Sequence, residues 1–447
     1  MSSSKLGNCP FHASRRDLLK GLGLAAGGGL AAGLIQNQAV AAEPAARHHV
    51  TDAPVGSGNL DQRQPYLGVH QAGIVTPRPS CGMIAAFDAL AHRPEDLEKL
   101  LRRLTERIAL LTQGGRMPQL DPKLPPPDSG IVGPEVKPDN LTITVSLGSS
   151  FFDDRPWLAP LKPRKLMRMT KFPNDALDRS ICHGDITLQL CANTQDTTIH
   201  ALRDIVKNLS DQMVLRWKQE GNVPAIQPSA DGTVQSARNF LGFRDGSANP
   251  DSEDDTLMKR IVWVDESSGE PHWATGGTYQ VVRIIRNFVE RWDRTPLGEQ
   301  ERIIGRVKAS GAPLGNGETE FDLPEYSQDP EGKMTPLDAH IRLANPRTPG
   351  SEENLILRRP FNYSNGVTKS GQLDQGLLFI CYQADLEKGF ITVQQRLDGE
   401  PLEEYLKPVG GGYFYTLPGI VDENDYLGRQ LVQAVAENSS MRSSNQE

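Results

Sequence analysis

Residues 184–221, GDITLQLCANTQDTTIHALRDIVKNLSDQMVLRWKQEG, decide how this chain folds. GDITLQLCAN (184–193) reads as a strand, TQDTTIHALRDIVKNL (194–209) as an amphipathic helix, and QMVLRWKQEG (212–221) as a second strand. Working backwards, NLTITVSLG (140–148) is a strand with β-branched alternation, PEDLEKLLRRLTERIALLTQ (94–113) an amphipathic helix, and HQAGIVTP (70–77) a first strand. A proline-rich loop, 117–138, separates the first helix from the second strand. The order is β-α-β-β-α-β, the split βαβ unit of ferredoxin-like folds, with helices on one face of an antiparallel sheet.

The second half repeats that order. GTYQVVRIIRNFVERWD (277–293) is a long strand, PLGEQERIIG (296–305) a short helix, and NLILRRPFNYS (354–364) and GLLFICYQAD (376–385) are strands. LEKGFITVQQRL (386–397) is a helix and GYFYTL (412–417) the closing strand. The expected class is α+β, two ferredoxin-like modules over 64–230 and 231–436, whose antiparallel sheets could pack face to face or edge to edge. An insertion rich in Gly, Pro and acidic residues, 305–354, interrupts the second module, and loops of that length are usually functional or disordered.

With 447 residues the chain exceeds one ordinary core. Hydrophobic residues at 37%, charged residues at 23% and a net charge of -8 describe a globular protein, and no basic stripe points to nucleic acid. SRRDLLK (14–20), the apolar glycine-rich run 21–35 and AVAA (39–42) have the layout of a cleaved export signal over 1–42, and the Arg15–Arg16 pair resembles a twin-arginine signal. The run is shorter than the ~20 apolar residues of a membrane helix, so no span is expected after cleavage. Residues 43–63 and 437–447 are polar and small, and read as a disordered linker and tail. An oxidising, extracytoplasmic destination follows, and there Cys81, Cys182, Cys191 and Cys381 read as small core residues, with Cys182 and Cys191 expected to stay unbridged. The absence of CxxCH excludes covalent c-type haem attachment.

Most of the nine histidines have bland explanations: His12 lies in the signal, His48 and His49 in the linker, His272 beside a proline, His200 within a helix. His70 and His92 have no partner at ligand spacing, and His183 is a weak candidate. His340, in DAHIRLANPR (338–347), either packs its loop or serves as a metal ligand. A lone histidine excludes zinc, which needs three or four ligands, but suffices for haem iron. NFLGFRDGSANP (239–250) is by itself a turn, in which Gly242 and Gly246 would let backbone approach a flat ligand. A haem peroxidase needs a group that moves a proton between the oxygens of hydrogen peroxide, a role open to Asp245, and a cation, open to Arg358 or Arg359. Strand alternation sends one of those arginines inward and the other outward.

These residues resemble the dye-decolourising peroxidase family, whose GxxDG motif is matched by GFRDG (242–246). LTQGG, DNLTIT, FPND, CHGD, CANTQDT, HALRDI, DPEGK, HIRLANPR, GQLD, CYQ and GGGYF extend the likeness over the mature chain, nearest to the twin-arginine-exported, EfeB-type subgroup of deferrochelatase/peroxidases. The resemblance implies the paired ferredoxin-like fold of that family and a non-covalent b-type haem, one per subunit, in the C-terminal module. It implies that His340 ligates iron, that Asn345, Pro346 and Arg347 line the pocket, and that Gly246, Ser247 and Ala248 lie against haem. It implies Asp245 as the distal acid–base residue and Arg358 as the distal arginine. Pro360 departs from subgroups that carry asparagine there. Implied partners are hydrogen peroxide, haem as cofactor and possible substrate, other components of an iron-uptake system, and a second copy in a homodimer; the implied compartment is the periplasm. Two implied activities, peroxidation of bulky donors or ferrous iron and removal of iron from haem with the porphyrin intact, stand beside an alternative, a non-catalytic haem-binding or transfer protein.

Overall fold

Every backbone N–H in a sheet needs an acceptor, and in this chain the edge strands find theirs on each other. The computed structural model describes residues 59–117, 121–224, 235–315 and 317–444. In the first half, β1 (Cys81–Ala89), α1 (Pro94–Gln113), β2 (Thr142–Gly148), β3 (Ile186–Ala192), α2 (Gln195–Asn208) and β4 (Met213–Asn222) give the antiparallel order β2-β3-β1-β4. In the second half, β5 (Thr278–Asn287), α3 (Leu297–Ile304), α4 (His340–Ala344), β6 (Phe361–Val367), β7 (Leu373–Gln383), α5 (Thr392–Leu397) and β8 (Leu406–Thr416) give β8-β5-β7-β6. β8 pairs with β2, Phe414 opposite Gly148, and β4 meets β6 at Asn222 and Asn362, so the two sheets join edge to edge into a closed ring.

Closure buries the face of each sheet that turns into the ring, and helices cover the outer face of the first half. Met83, Ala85 and Phe87 of β1 pack outward with Leu100 and Leu104 of α1, while Ile84 and Ala86 pack with Val282, Ile284, Leu378 and Phe414 from the other half. α1 forms where its pattern places it: Pro94 opens it, Arg93 and Asp96 form a capping box, and Gly114 at φ 69° ends it. Its Leu97, Leu100, Leu101, Leu104, Ile108 and Leu111 are buried.

Four expectations need correction. HQAGIVTP is not the first strand; that strand is Cys81–Ala89, whose nearly continuous burial hides the alternation that marks a half-exposed strand. Residues 70–77 bend at Gly73 (φ 92°), where a Cβ would lie 2.4 Å from the Thr144 hydroxyl, and Gln71 uses its side chain to bond Val145 and Leu417. NLILRRPFNYS is broken by Pro360 into Leu357–Arg358 and β6. Order begins before residue 64, since the Leu60 and Gln62 carbonyls accept from the N–H groups of Asp139 and Asn140. The tail from Glu437 continues a helix, α6 (Arg429–Ser444), seated by Leu431 and Val435. The expected signal and most of the linker lie outside the described residues. Cys81, Cys182, Cys191 and Cys381 are all free, and no helix among the described residues is long and apolar enough to cross a membrane.

Arg283 on β5 and Asp175, in the FPND stretch, form an ion pair with side-chain exposures of 1% and 0%. Removing one partner strands a buried charge, at a cost of about 3–5 kcal/mol, whereas an exposed pair contributes under about 1 kcal/mol. Urea unfolding is expected to show Asp175→Ala losing several-fold more stability than Asp211→Ala, which breaks the exposed Lys99–Asp211 contact.

Candidate active site

The outward side chains of β5 and β7, Ile285, Leu377 and Phe379, form one wall of a cavity of about 280 Å³. Helices α3, α4 and α5, the 239–250 loop, residues 354–356 and 390, and the 400–406 turn supply most of the rest of its lining, much of it apolar: Leu241, Phe243, Ile304, Ile341, Leu355, Ile356, Phe390 and Leu402.

His340 is the first residue of α4, inside the long insertion. That insertion is ordered because Asp329 of DPEGK accepts from the N–H groups of Lys333, Met334 and Thr335 and pairs with Arg342 of α4 at 3.2 Å. His340 Nδ1 lies 2.8 Å from Glu400 Oε2 and 3.0 Å from Oε1, and the Glu400 side chain is 4% exposed. A carboxylate on Nδ1 selects the tautomer that leaves Nε2 as the electron-pair donor. Burial alone would push the His340 pKa down, but the charge and hydrogen bond of Glu400 outweigh it and hold the ring above its ordinary value.

The same cavity is lined by Asp245, Gly246, Ser247 and Ala248. Gly242 adopts φ 86°, and the Asp245 N–H bonds the Ala237 carbonyl at 2.8 Å, which folds GFRDG back on the segment before it. Asn249 then ties the loop to the strand that carries Arg358, accepting from its N–H at 2.8 Å and donating to its carbonyl at 3.0 Å. Those two bonds bring Arg358 Nη1 to 2.6 Å from Asp245 Oδ1, across 113 residues of sequence. Arg359 points the other way, donating to the Thr76 and Pro77 carbonyls, as alternation requires. The Pro360 carbonyl accepts from Arg78.

Asn345 lines the cavity; Pro346 and Arg347 are not among its described lining residues. Arg347 takes a left-handed φ of 54°, which turns the chain aside after Asn345 and sets its charge beside Tyr326 and Arg306. Burial lowers the Arg306 pKa to about 10. Arg244 and Arg306 also face the cavity. Arg283 and Asp175 contribute to its lining as well.

One half-buried imidazole braced by a carboxylate, in an apolar cavity shared with a carboxylate–guanidinium pair, suits a flat iron macrocycle. Among the described residues no group of three His, Cys, Asp or Glu side chains could hold a bare metal ion. Two further functional residues were invisible in sequence. Glu400 is one of 56 acidic residues, 60 positions from His340, with no spacing to single it out. Arg306 looked like part of a glycine-rich insertion.

Comparison with known proteins finds similar chains and structures. Residues 71–222 match the family "Dyp-type peroxidase, N-terminal" and residues 236–421 match "Dyp-type peroxidase, C-terminal". A deferrochelatase of Shigella flexneri is 55% identical over 424 residues, covering 94% of this chain and 97% of the relative. The crystal structure of a DyP-type peroxidase from Cellulomonas bogoriensis is similar at 36% identity and TM-score 0.73, over 83% of this chain and 98% of that one. Ferric DtpA from Streptomyces lividans is similar at 32% identity and TM-score 0.74, over 85% and 99%.

In haem-free protein, His340 is expected to titrate above the ordinary imidazole value of ~6.5. Glu400→Gln should lower it, because the carboxylate charge that outweighs burial is then gone, as an NMR titration would register. A folded-state value above the unfolded one means that the pair contributes stability fully below the unfolded value and loses it as pH rises through the folded value. The melting-temperature advantage of haem-free wild type over E400Q should therefore shrink as pH rises across that window.

Proposed function

This chain belongs to the Dyp-type peroxidase family, and from that premise we propose that it is a haem-dependent peroxidase that also acts as a deferrochelatase, releasing iron from haem with the porphyrin intact. The observation that carries this reading is the pairing of Asp245 with Arg358 at 2.6 Å in the cavity that also receives His340. The cofactor is haem, and with no CxxCH in the chain we assign it as b-type, non-covalent, one per subunit.

His340 Nε2 would hold the iron, and Glu400 would fix the ring and increase its donor strength. Gly246, Ser247, Ala248, Asn345 and Arg358 would lie against the macrocycle, with Pro346 and Arg347 flanking Asn345. Bound haem supplies the electrons that reduce hydrogen peroxide to water and recovers them from a donor. The Asp245 carboxylate takes the proton from one peroxide oxygen and returns it to the other, making that oxygen leave as water. The Arg358 guanidinium steadies the negative charge that builds as the O–O bond breaks, and holds Asp245 in line. Bulky donors or ferrous iron would give up electrons at the cavity mouth.

Export through the twin-arginine route to the periplasm, a place among the components of an iron-uptake system, and a homodimeric state complete the proposal. The competing reading, a non-catalytic haem-transfer protein, needs His340 but makes no use of the Asp245–Arg358 pair, and that pair favours the enzyme.

Asp245→Asn is expected to retain haem and lose about 10²–10⁴-fold in peroxide turnover, the usual yield of a general acid–base group. His340→Ala should lose the normal Soret band. Unchanged turnover in D245N with intact haem binding would leave the haem-transfer reading standing. For the second activity, wild-type protein with haem and no peroxide, under reducing and mildly acidic conditions, should release fluorescent protoporphyrin; dye oxidation without that fluorescence would leave a peroxidase alone.

A further inference from the structure

We infer that Glu320, in the insertion, is the positioning residue that sets the geometry of Asp245, by clamping the loop on both sides of it through Ser236 and Ser247. The inference rests on the peroxidase reading above and adds to it a residue with no direct contact to peroxide. Glu320 is 3% exposed, and a carboxylate so deeply buried needs charge-assisted hydrogen bonds to stay there. Its Oε1 accepts from the Ser236 N–H at 2.9 Å. Its Oε2 accepts from both the Ser236 hydroxyl and the Ser247 hydroxyl, the latter at 2.8 Å.

Ser236 immediately precedes Ala237, whose carbonyl holds the Asp245 N–H, and Ser247 follows Asp245 by two residues. One carboxylate thus bonds the two strands of the loop that present Asp245. Glu320 is itself held: Arg306 Nη1 donates to its carbonyl at 3.1 Å and to the Gly311 carbonyl at 2.7 Å. Arg244 Nε lies 4.0 Å from Oε1. Gly311, at φ 82°, leaves room for this packing; a Cβ there would meet Arg244 Cγ at 2.7 Å and Glu320 Cβ at 2.8 Å. The insertion therefore supplies the iron-side histidine and also braces the loop on the peroxide side. Arg244, the conspicuous neighbour of Asp245 in GFRDG, faces this brace, with Nη1 on the Ser236 carbonyl at 2.8 Å.

The test uses haem-loaded wild type, Glu320→Ala and Glu320→Gln. Cyanide association with ferric protein, followed by the Soret shift, reports the peroxide-side acid–base group without turnover; the peroxide reaction and the KM for a bulky dye are measured beside it. Misplacing a catalytic group by about 1 Å costs roughly 10²-fold. Glu320→Ala is expected to slow both cyanide association and the peroxide reaction by about that factor, with haem content and dye KM unchanged. Glu320→Gln, whose amide oxygen can accept from Ser236 N–H while its NH₂ donates to the two hydroxyls, should return to within about fivefold. Wild-type cyanide and peroxide rates in E320A, or an E320Q as slow as E320A, would overturn the inference. Should E320A fail to take up haem, Ser236→Ala and Ser247→Ala carry the test: each is expected to be about tenfold slower with cyanide, and wild-type rates in both overturn it. A haem-loaded wild type inert toward peroxide would instead defeat the peroxidase reading, and the cyanide rates would still judge Glu320.

Discussion

The pairing of β8 with β2, closed on the other side by Asn222 against Asn362, is the constraint on which the rest of this molecule depends. Two ferredoxin-like sheets each carry two edges of unpaired backbone groups, and joining them edge to edge satisfies those groups without covering the faces. One face of each strand then turns into the ring, where Ile84, Ala86, Val282, Ile284 and Phe414 meet. The other face is left for helices in the first half and, in the second, for a cavity between β5, β7 and the helices that hold off from them.

What holds those helices off is the insertion. In the first half, α1 and α2 press Leu100, Leu104 and Ala201 directly onto the sheet. In the second, α4 and the 400–406 turn are tied to one another by His340 and Glu400, while the 236–250 loop is tied to Glu320 of the insertion, whose carbonyl Arg306 holds. Polar bonds that would be wasteful in a packed core here surround a cavity, with Glu400 against His340 and Glu320 against Ser236 and Ser247. Asp329 with Arg342 and Asp175 with Arg283 serve the same end from two sides.

Legibility in the sequence followed exposure. α1 and α2 each show one apolar stripe against a polar background and were readable to within a residue or so, because half of each helix faces water. β1, buried on both faces, carries no alternation, and its neighbour HQAGIVTP mimics a strand in composition while Gly73 bends it. Among site residues, Asp245 and Arg358 were found through motif resemblance, and the reason for their pairing, Asn249 acting as a bridge to the strand of Arg358, has no local sequence mark.

By itself the sequence determined the order of strands and helices, the doubling of the β-α-β-β-α-β unit, and the residue types able to hold haem and move a proton, since these depend on near-neighbour patterns and on the chemistry of single side chains. Only the tertiary structure decided that the sheets meet by their edges, that Asn249 ties the loop of Asp245 to the strand of Arg358, that Glu400 backs His340, and that Glu320 holds the loop of Asp245. Each of those contacts joins groups far apart along the chain, and their free energy exists only after the ring has closed and water has left the space between them.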